Sequence, residues 1–473
     1  MTDLTLARRL GQFAAGLTFD TLPAEVVDSV RKRVLDVLGI AVAASDLPTS
    51  GAARRFAAEQ GGRPQAHAVG MTGPLPAALA AFVNGTLAHS LDYDDTHLPS
   101  VLHPSASVVP AALAAAEAYG RGGRELIVAV AAGLETCVRI GMAGYDDKTG
   151  ENLFFDHGQH ATSICGTLGS GMAAGLLAGL DADALVHVLG LTASMGSGVI
   201  EANRTGGTVK RMHCGWAAHS ALSAVELVRQ GFTGPPTVLE GRFGFFQAWL
   251  HGRFDPSAIT DRLGERWEVP GIFFKPYPAN HFTHTALDAA SSFRSRGLVP
   301  EQVERLTLGV PAPVVRTIGE PIEVKRAPET GYMAQFSGPY AVATGLLGGG
   351  GLGAALGDYT DDLARDPARR AIMAKVDVVA DDECTAVFPH QFPSVLTAFL
   401  TDGTSLTARV MTNRGGTARP LTYDELALKF TDNAGRRLSA AAVQDVRDLV
   451  GRLDELPELG PLWSRLALPE GDS

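Results

Sequence analysis

Cysteine is scarce: Cys137, Cys165, Cys214 and Cys384 are the only 4 in 473 residues, with no short paired spacing. A disulfide framework and a zinc knuckle are thereby excluded, and a reducing, cytoplasmic compartment is expected. Charge is also thin, at 19% of residues against about 25% in an average protein. Positive charge is outnumbered: 40 Lys and Arg face 51 Asp and Glu, a net of −11. Nucleic acid and anionic membrane both select a basic face, so neither is expected as a partner. A local cationic pocket for a small anion stays open. The opening MTDLTLARRLGQFAAGL lacks the basic start and long apolar stretch of a secretory signal. Glycine, in contrast, is abundant at 54 residues, which lets helices approach closely. The length allows about three domains, or one large domain plus a small one.

Long uncharged stretches are equally few. Ala161 to Leu180 (ATSICGTLGSGMAAGLLAGL) has the length of a membrane span. Its side chains are mostly Gly, Ala, Ser and Thr, and His157, Gln159 and His160 precede it. A buried central helix of a soluble protein is the expectation. The first half reads as successive helices: 22–45, 75–91, 104–119, 125–142, the segment after His160, 182–195 and 210–230. After about residue 265 strand patterns appear at 305–310, 374–379 and 395–400, and Asp402-Gly403 signals a hairpin. Helical spacing returns from Tyr423. The expected fold is mainly α. A large all-helical domain (1–266 and 413–473) would carry a smaller inserted α/β lid domain (267–412). The cluster LLGGGGLGAALGD (346–358) lacks the Lys-Ser/Thr ending of a phosphate loop and reads as a helix end.

Polar chemistry concentrates in HSLDYDDTHLPSVLHPSAS (89–107), three aspartates and three histidines between apolar helices. If the preceding helix continues through Asp92, then His89, Asp92 and Thr96 share one face. A capped interhelical loop would also account for the segment, and a divalent-ion site is a weaker reading because no established ligand spacing is met. His103 and His160 each stand at the start of an apolar helix, where the positive helix end disfavours imidazolium. A neutral imidazole near neutral pH can act as a general base. Capping or packing histidines would look the same at this level. In RTGGTVKRMH (204–213), Lys210 and Arg211 occupy the first turn of a helix, against its dipole, a penalty that a bound anion would reverse. FFKPYPANHFTHTALDAA (273–290) adds Lys275, His281 and His284 near the presumed domain junction.

Taken in order, HSLDYDDTH…HPSASVVPAALAAAE, GQHATSICGTLGSGMAAGLLAGLD, KRMHCGWAAHSALSAVELVRQGFTGPPTVLEGRFGFF, FKPYPANHFTHTALDAA and AQFSGPYAVATGLLGG closely resemble the MmgE/PrpD family over nearly the whole chain. That family includes 2-methylcitrate dehydratases, cis-aconitate decarboxylases and an iminodisuccinate epimerase. The resemblance implies an all-helical domain with an α/β lid, a homodimer, and no metal or organic cofactor. By the same resemblance Asp92, Thr96, His103, His160 and Tyr340 would be catalytic. Lys210, Lys275 and His284 would bind substrate, with both lysines meeting carboxylates.

These reactions create or quench negative charge at a carbon beside a carboxylate, so fixed cations and a positioned acid/base are required. The expected function is a cofactor-independent lyase, dehydratase or decarboxylase, on a small di- or tricarboxylate. The alternatives are an epimerase of an amino- or imino-dicarboxylate, a binding protein without turnover, and a metal-dependent hydrolase. Family membership alone does not choose the reaction.

Overall fold

The structure, a computed structural model, describes residues 4–146, 151–202 and 206–468. The protein is mainly α-helical with one small mixed sheet. It divides into two units, Met1–Ile272 with Asn433–Ser473, and Phe273–Asp432. The crossings were expected at 266/267 and 412/413. Residues just past 412 stay with the second unit because Phe274 N–H donates to the Gly415 carbonyl, 3.0 Å away.

In the first unit, α1 (Leu6–Ala15), α2 (Ala24–Ala43), α3 (Pro48–Gln60), α4 (Ala77–Ala88), α5 (Ser105–Ala118) and α6 (Gly123–Ala143) precede the chemistry-bearing α7 (Ala161–Leu177). Then come α8 (Ala182–Met195) and α9 (Val209–Arg229). Helix α7 is the hub, buried along almost its whole length between α5, α6, α8 and α9. Glycine makes this packing feasible. A Cβ on Gly85 of α4 would stand 2.8 Å from Gly215 Cα of α9, and one on Gly133 of α6 would stand 2.7 Å from the Gly169 carbonyl oxygen of α7. Real Cβ atoms do not approach that closely, so these crossings require glycine. The returning tail joins the same body: Arg31 of α2 pairs with Asp454, and Gly123 N–H donates to the Leu456 carbonyl at 2.8 Å.

The uncharged run from Ala161 forms a helix of 17 residues, packed inside the unit. Among the described residues one helix, α6, is long and apolar enough to cross a membrane, and 89% of its most apolar window is buried within the protein. It also carries a fully buried ion pair, Glu135–Arg139 at 2.6 Å.

The second unit holds four strands, β1 (Val303–Val310), β2 (Val376–Ala380), β3 (Ser394–Leu400) and β4 (Ser405–Val410), in the order β2-β1-β3-β4. β1 and β2 are parallel, and the other pairings are antiparallel. The Asp402-Gly403 signal marks the β3–β4 hairpin; Gly403 has φ +85°, and the Asp402 carboxylate accepts from Thr404 N–H at 2.9 Å. Alternate β1 residues Leu306, Leu308 and Val310 face the core with Leu287 and Phe293 of α10 (His284–Ser295) and Val342 of α11 (Gly338–Leu347). The glycine cluster after Leu347 is a helix end and loop, as its composition predicts.

Candidate active site

Helix α4 stops at Ala88, not beyond Asp92, so the expected shared face of His89, Asp92 and Thr96 does not form. The chain turns instead. Asp92 sits at φ +52°, a left-handed conformation that costs a side-chain-bearing residue about 1 kcal/mol and recurs at functional sites. What holds the turn is a buried ion pair: Arg33 Nη1 of α2 meets Asp95 Oδ2 at 2.7 Å, with side chains 0% and 2% exposed. Arg33 also donates to the Val269 and Ile272 carbonyls at 3.1 and 2.7 Å. Asp95 in turn accepts from Ser105 N–H at 3.2 Å, at the start of α5. Burial pushes the Asp95 carboxyl up, while Arg33 and Ser105 pull it back.

This anchored loop delivers the imidazoles. His103 Nδ1 lies 2.5 Å from the Asp95 carbonyl oxygen and 3.3 Å from Thr96 Oγ1. Because a carbonyl only accepts, Nδ1 carries the proton in the neutral ring and Nε2 is the basic nitrogen. His103 N–H donates to Thr162 Oγ1 at 3.2 Å, tying the loop to the first turn of α7. His160 caps that helix, and its Nδ1 stands 2.8 Å from His213 Nδ1 on α9. His89 closes the cluster, its ring centre 5.6 Å from both the His103 and His160 rings.

Lys210 enters from the first turn of α9, with Nζ 3.5 Å from Asp92 Oδ1. That first turn contains no acidic residue. The lysine and aspartate side chains are 31% and 19% exposed, so this is the wet edge of an otherwise dry cluster. Burial pushes His160 well below the usual imidazole range, reinforced by His89, His213, Lys210 and His103. His213 is pushed down to about 4 by burial, then by His89 and Lys210. Neutral imidazoles beside a fixed cation can exchange a proton with a carbon acid whose carboxylate the cation holds.

The structure thus brings together Asp92, Thr96, His103, His160 and Lys210. Sequence reasoning gave no role to His213, although it lies three residues after Lys210 and so on the same helix face. Asp94 and Asp95, noticed only as members of a polar loop, are the buried partners of His89 and Arg33. His97, the third histidine of the motif, is structural. Its Nδ1 is 2.7 Å from Ser100 Oγ, its backbone pairs with Leu102, and burial pushes it down to about 3. Arg204 and Thr205 of the RTGGTVKRMH motif lie outside the described residues.

Lys275, His284 and Tyr340 belong to the second unit. Lys275 is buried. His284 begins α10, with Nε2 3.2 Å from the Ala279 carbonyl oxygen and its ring against Tyr277 and His281. Tyr340 is fully buried in α11; its hydroxyl donates to the Asp358 carbonyl, and burial pushes it up to about 12. Among the described residues no group of three His, Cys, Asp or Glu side chains is arranged to hold a metal ion.

Residues 8–257 match the model of the MmgE/PrpD N-terminal domain and residues 277–455 that of the MmgE/PrpD C-terminal domain. The chain belongs to the MmgE/PrpD family. It is 29% identical to a human cis-aconitate decarboxylase over 84% of this chain and 80% of that protein. It is 28% identical to the mouse cis-aconitate decarboxylase over 84% and 79%, and 25% identical to that of Aspergillus terreus over 97% and 95%. With its family and these near-full-length relatives, the chain is an enzyme of the lyase class.

Proposed function

We propose that this enzyme decarboxylates a small unsaturated tricarboxylate of the cis-aconitate type, without a metal or organic cofactor. The observation that carries the reading is the convergence of Lys210, Asp92, His103 and the neutral imidazoles of His160 and His213 in one cluster. The names of the relatives favour CO2 as the leaving group over water.

In this reading Lys210 meets a substrate carboxylate in place of, or alongside, Asp92. A carbon–carbon bond to a second carboxylate breaks, and CO2 leaves. Its bonding pair stays on the carbon skeleton beside a remaining carboxylate, where fixed positive charge lowers the barrier. One proton is then added at that carbon by an imidazole that has first taken it up at its basic nitrogen, so each turnover consumes one proton. His103 and His160 are the candidate donors, and Asp92 and Thr96 orient Lys210 and His103. Lys275 and His284 as substrate contacts, and Tyr340 as a proton or hydrogen-bond donor, rest on the family resemblance. For Tyr340 to act, its hydroxyl must leave the Asp358 carbonyl. A cytoplasmic homodimer belongs to the same proposal, with light scattering as the check on assembly.

The test is proton NMR of citrate-like, aconitate-like and aspartate-like acids incubated with the enzyme in D2O. The reading predicts loss of CO2 from the aconitate-like acid and one deuteron in the product. Loss of water would make the enzyme a dehydratase. Deuterium in recovered substrate, with neither CO2 nor water released, would make it an epimerase.

A further inference from the structure

The imidazole cluster contains one ring that differs from the others in where its helix ends. His103 and His160 stand at the N-terminal ends of α5 and α7. His89 caps the C-terminal end of α4, a helix of 12 residues, donating its own N–H to the Gly85 carbonyl. The negative end of a helix favours imidazolium, whereas the positive end disfavours it. A carboxylate adds to the contrast: His89 Nδ1 is 2.6 Å from Asp94 Oδ2, and the two side chains are 1% and 0% exposed. At the far edge of the ring, His89 Nε2 is buried with no hydrogen-bond partner among the described residues. Its neighbours are the His103 and His160 rings. The groups that face it are Asp94 from its own loop, His103, His160, and from α9 His213 and Lys210.

We propose that His89, paired with Asp94, is the cationic proton store of this site: a positioning residue that protonates neutral His103 or His160, the ring that then gives this proton to carbon. The proposal rests on the decarboxylase reading. In the transfer, the Nε2–H bond of imidazolium His89 breaks and an N–H bond forms on the neutral neighbour, directly or through one water. His89 then recovers a proton from solvent. One proton enters per turnover, which is the number that replacing CO2 by hydrogen consumes. The ring attachments suit the task. His89, His103 and His160 each have Nδ1 within hydrogen-bond distance of a protein atom, which leaves Nε2 as the exchanging nitrogen.

The test uses the full chain labelled with 15N-histidine, together with His89→Gln and Asp94→Asn. Imidazole 15N spectra at pH 7 are expected to show a ring with both nitrogens protonated that disappears in His89→Gln. With cis-aconitate as substrate, His89→Gln should lose about 100-fold in kcat with KM within threefold. Asp94→Asn removes the counter-charge, so His89 should release its proton more easily, moving the alkaline fall of kcat to lower pH by one unit or more. A neutral His89 at pH 7 in the wild-type spectrum would overturn the proposal, even if the variants fail to fold. So would folded variants with unchanged kcat and pH profile. If the wild-type enzyme turns over none of the acids, the decarboxylase reading fails and the relay falls with it, whereas the spectrum still reports the charge on His89.

Discussion

Replacing Asp95 by asparagine strips the counter-charge from Arg33 while keeping shape and one acceptor for Ser105. The two charged atoms are 2.7 Å apart and almost wholly buried, so their attraction is about 6 kcal/mol at an effective dielectric constant of about 20. Desolvating both ions costs a comparable amount, so the intact pair contributes little net stability. Breaking it leaves one buried charge uncompensated, which costs about 3–5 kcal/mol. All 4 tryptophans, Trp216, Trp249, Trp267 and Trp463, lie in the first unit. Urea unfolding followed by tryptophan fluorescence therefore reports the unit that contains the pair. Asp95→Asn and Arg33→Met are each expected to destabilise it by about 3 kcal/mol or more. The double variant should cost less than the sum by at least about 1 kcal/mol. An Asp95→Asn protein within 1 kcal/mol of wild type would refute the claim that this pair anchors the loop bearing Thr96 and His103.

Protonation gives a second check. His213 and His97 have folded-state affinities near pH 4 and 3, below the ordinary 6.5, so the unfolded chain takes up protons first as pH falls. Stability should be complete above about pH 6.5 and decline toward pH 4. The urea midpoint is thus expected to drop between pH 7 and 5, less steeply in His213→Asn; equal slopes would contradict the burial argument. Gly85→Ala inserts a methyl 2.8 Å from Gly215 Cα. It should cost about 1–3 kcal/mol in the same assay, and an unaffected midpoint would show that α4 and α9 can move apart freely. Asp92→Gly relieves the left-handed strain but adds chain entropy, leaving stability within about 1 kcal/mol. Its kcat/KM should fall at least tenfold, and full activity would remove Asp92 from the site.

Much of the architecture was legible in the sequence because it is locally encoded. The α8 boundaries follow from Asp181, whose carboxylate accepts from Ala184 N–H at 2.9 Å, and the β3–β4 turn follows from Asp402-Gly403. Where α4 ends was not legible. Nothing between His89 and Asp92 breaks a helix by itself; the turn is fixed by Arg33, 62 positions away from Asp95 in the chain. The His160–His213 contact spans 53 positions and depends on two helices packing through small residues, which no local pattern encodes. The parallel β1–β2 pairing, whose strands are separated by α11, is non-local in the same way. For the candidate site, the apolar flanks and the cation in the first turn of α9 pointed to Asp92, His103, His160 and Lys210. The polar cluster and the 273–290 segment also drew in Thr96, Lys275 and His284, but their roles, and Tyr340 altogether, came from the family resemblance.

The central claim is that a cation and neutral imidazoles within the first unit carry the reaction. Turnover of cis-aconitate by Lys210→Ala and His103→Ala, each confirmed folded by wild-type tryptophan emission and urea midpoint, tests it most directly. The account predicts a loss of at least about 100-fold in both variants. Either variant retaining wild-type turnover would contradict it.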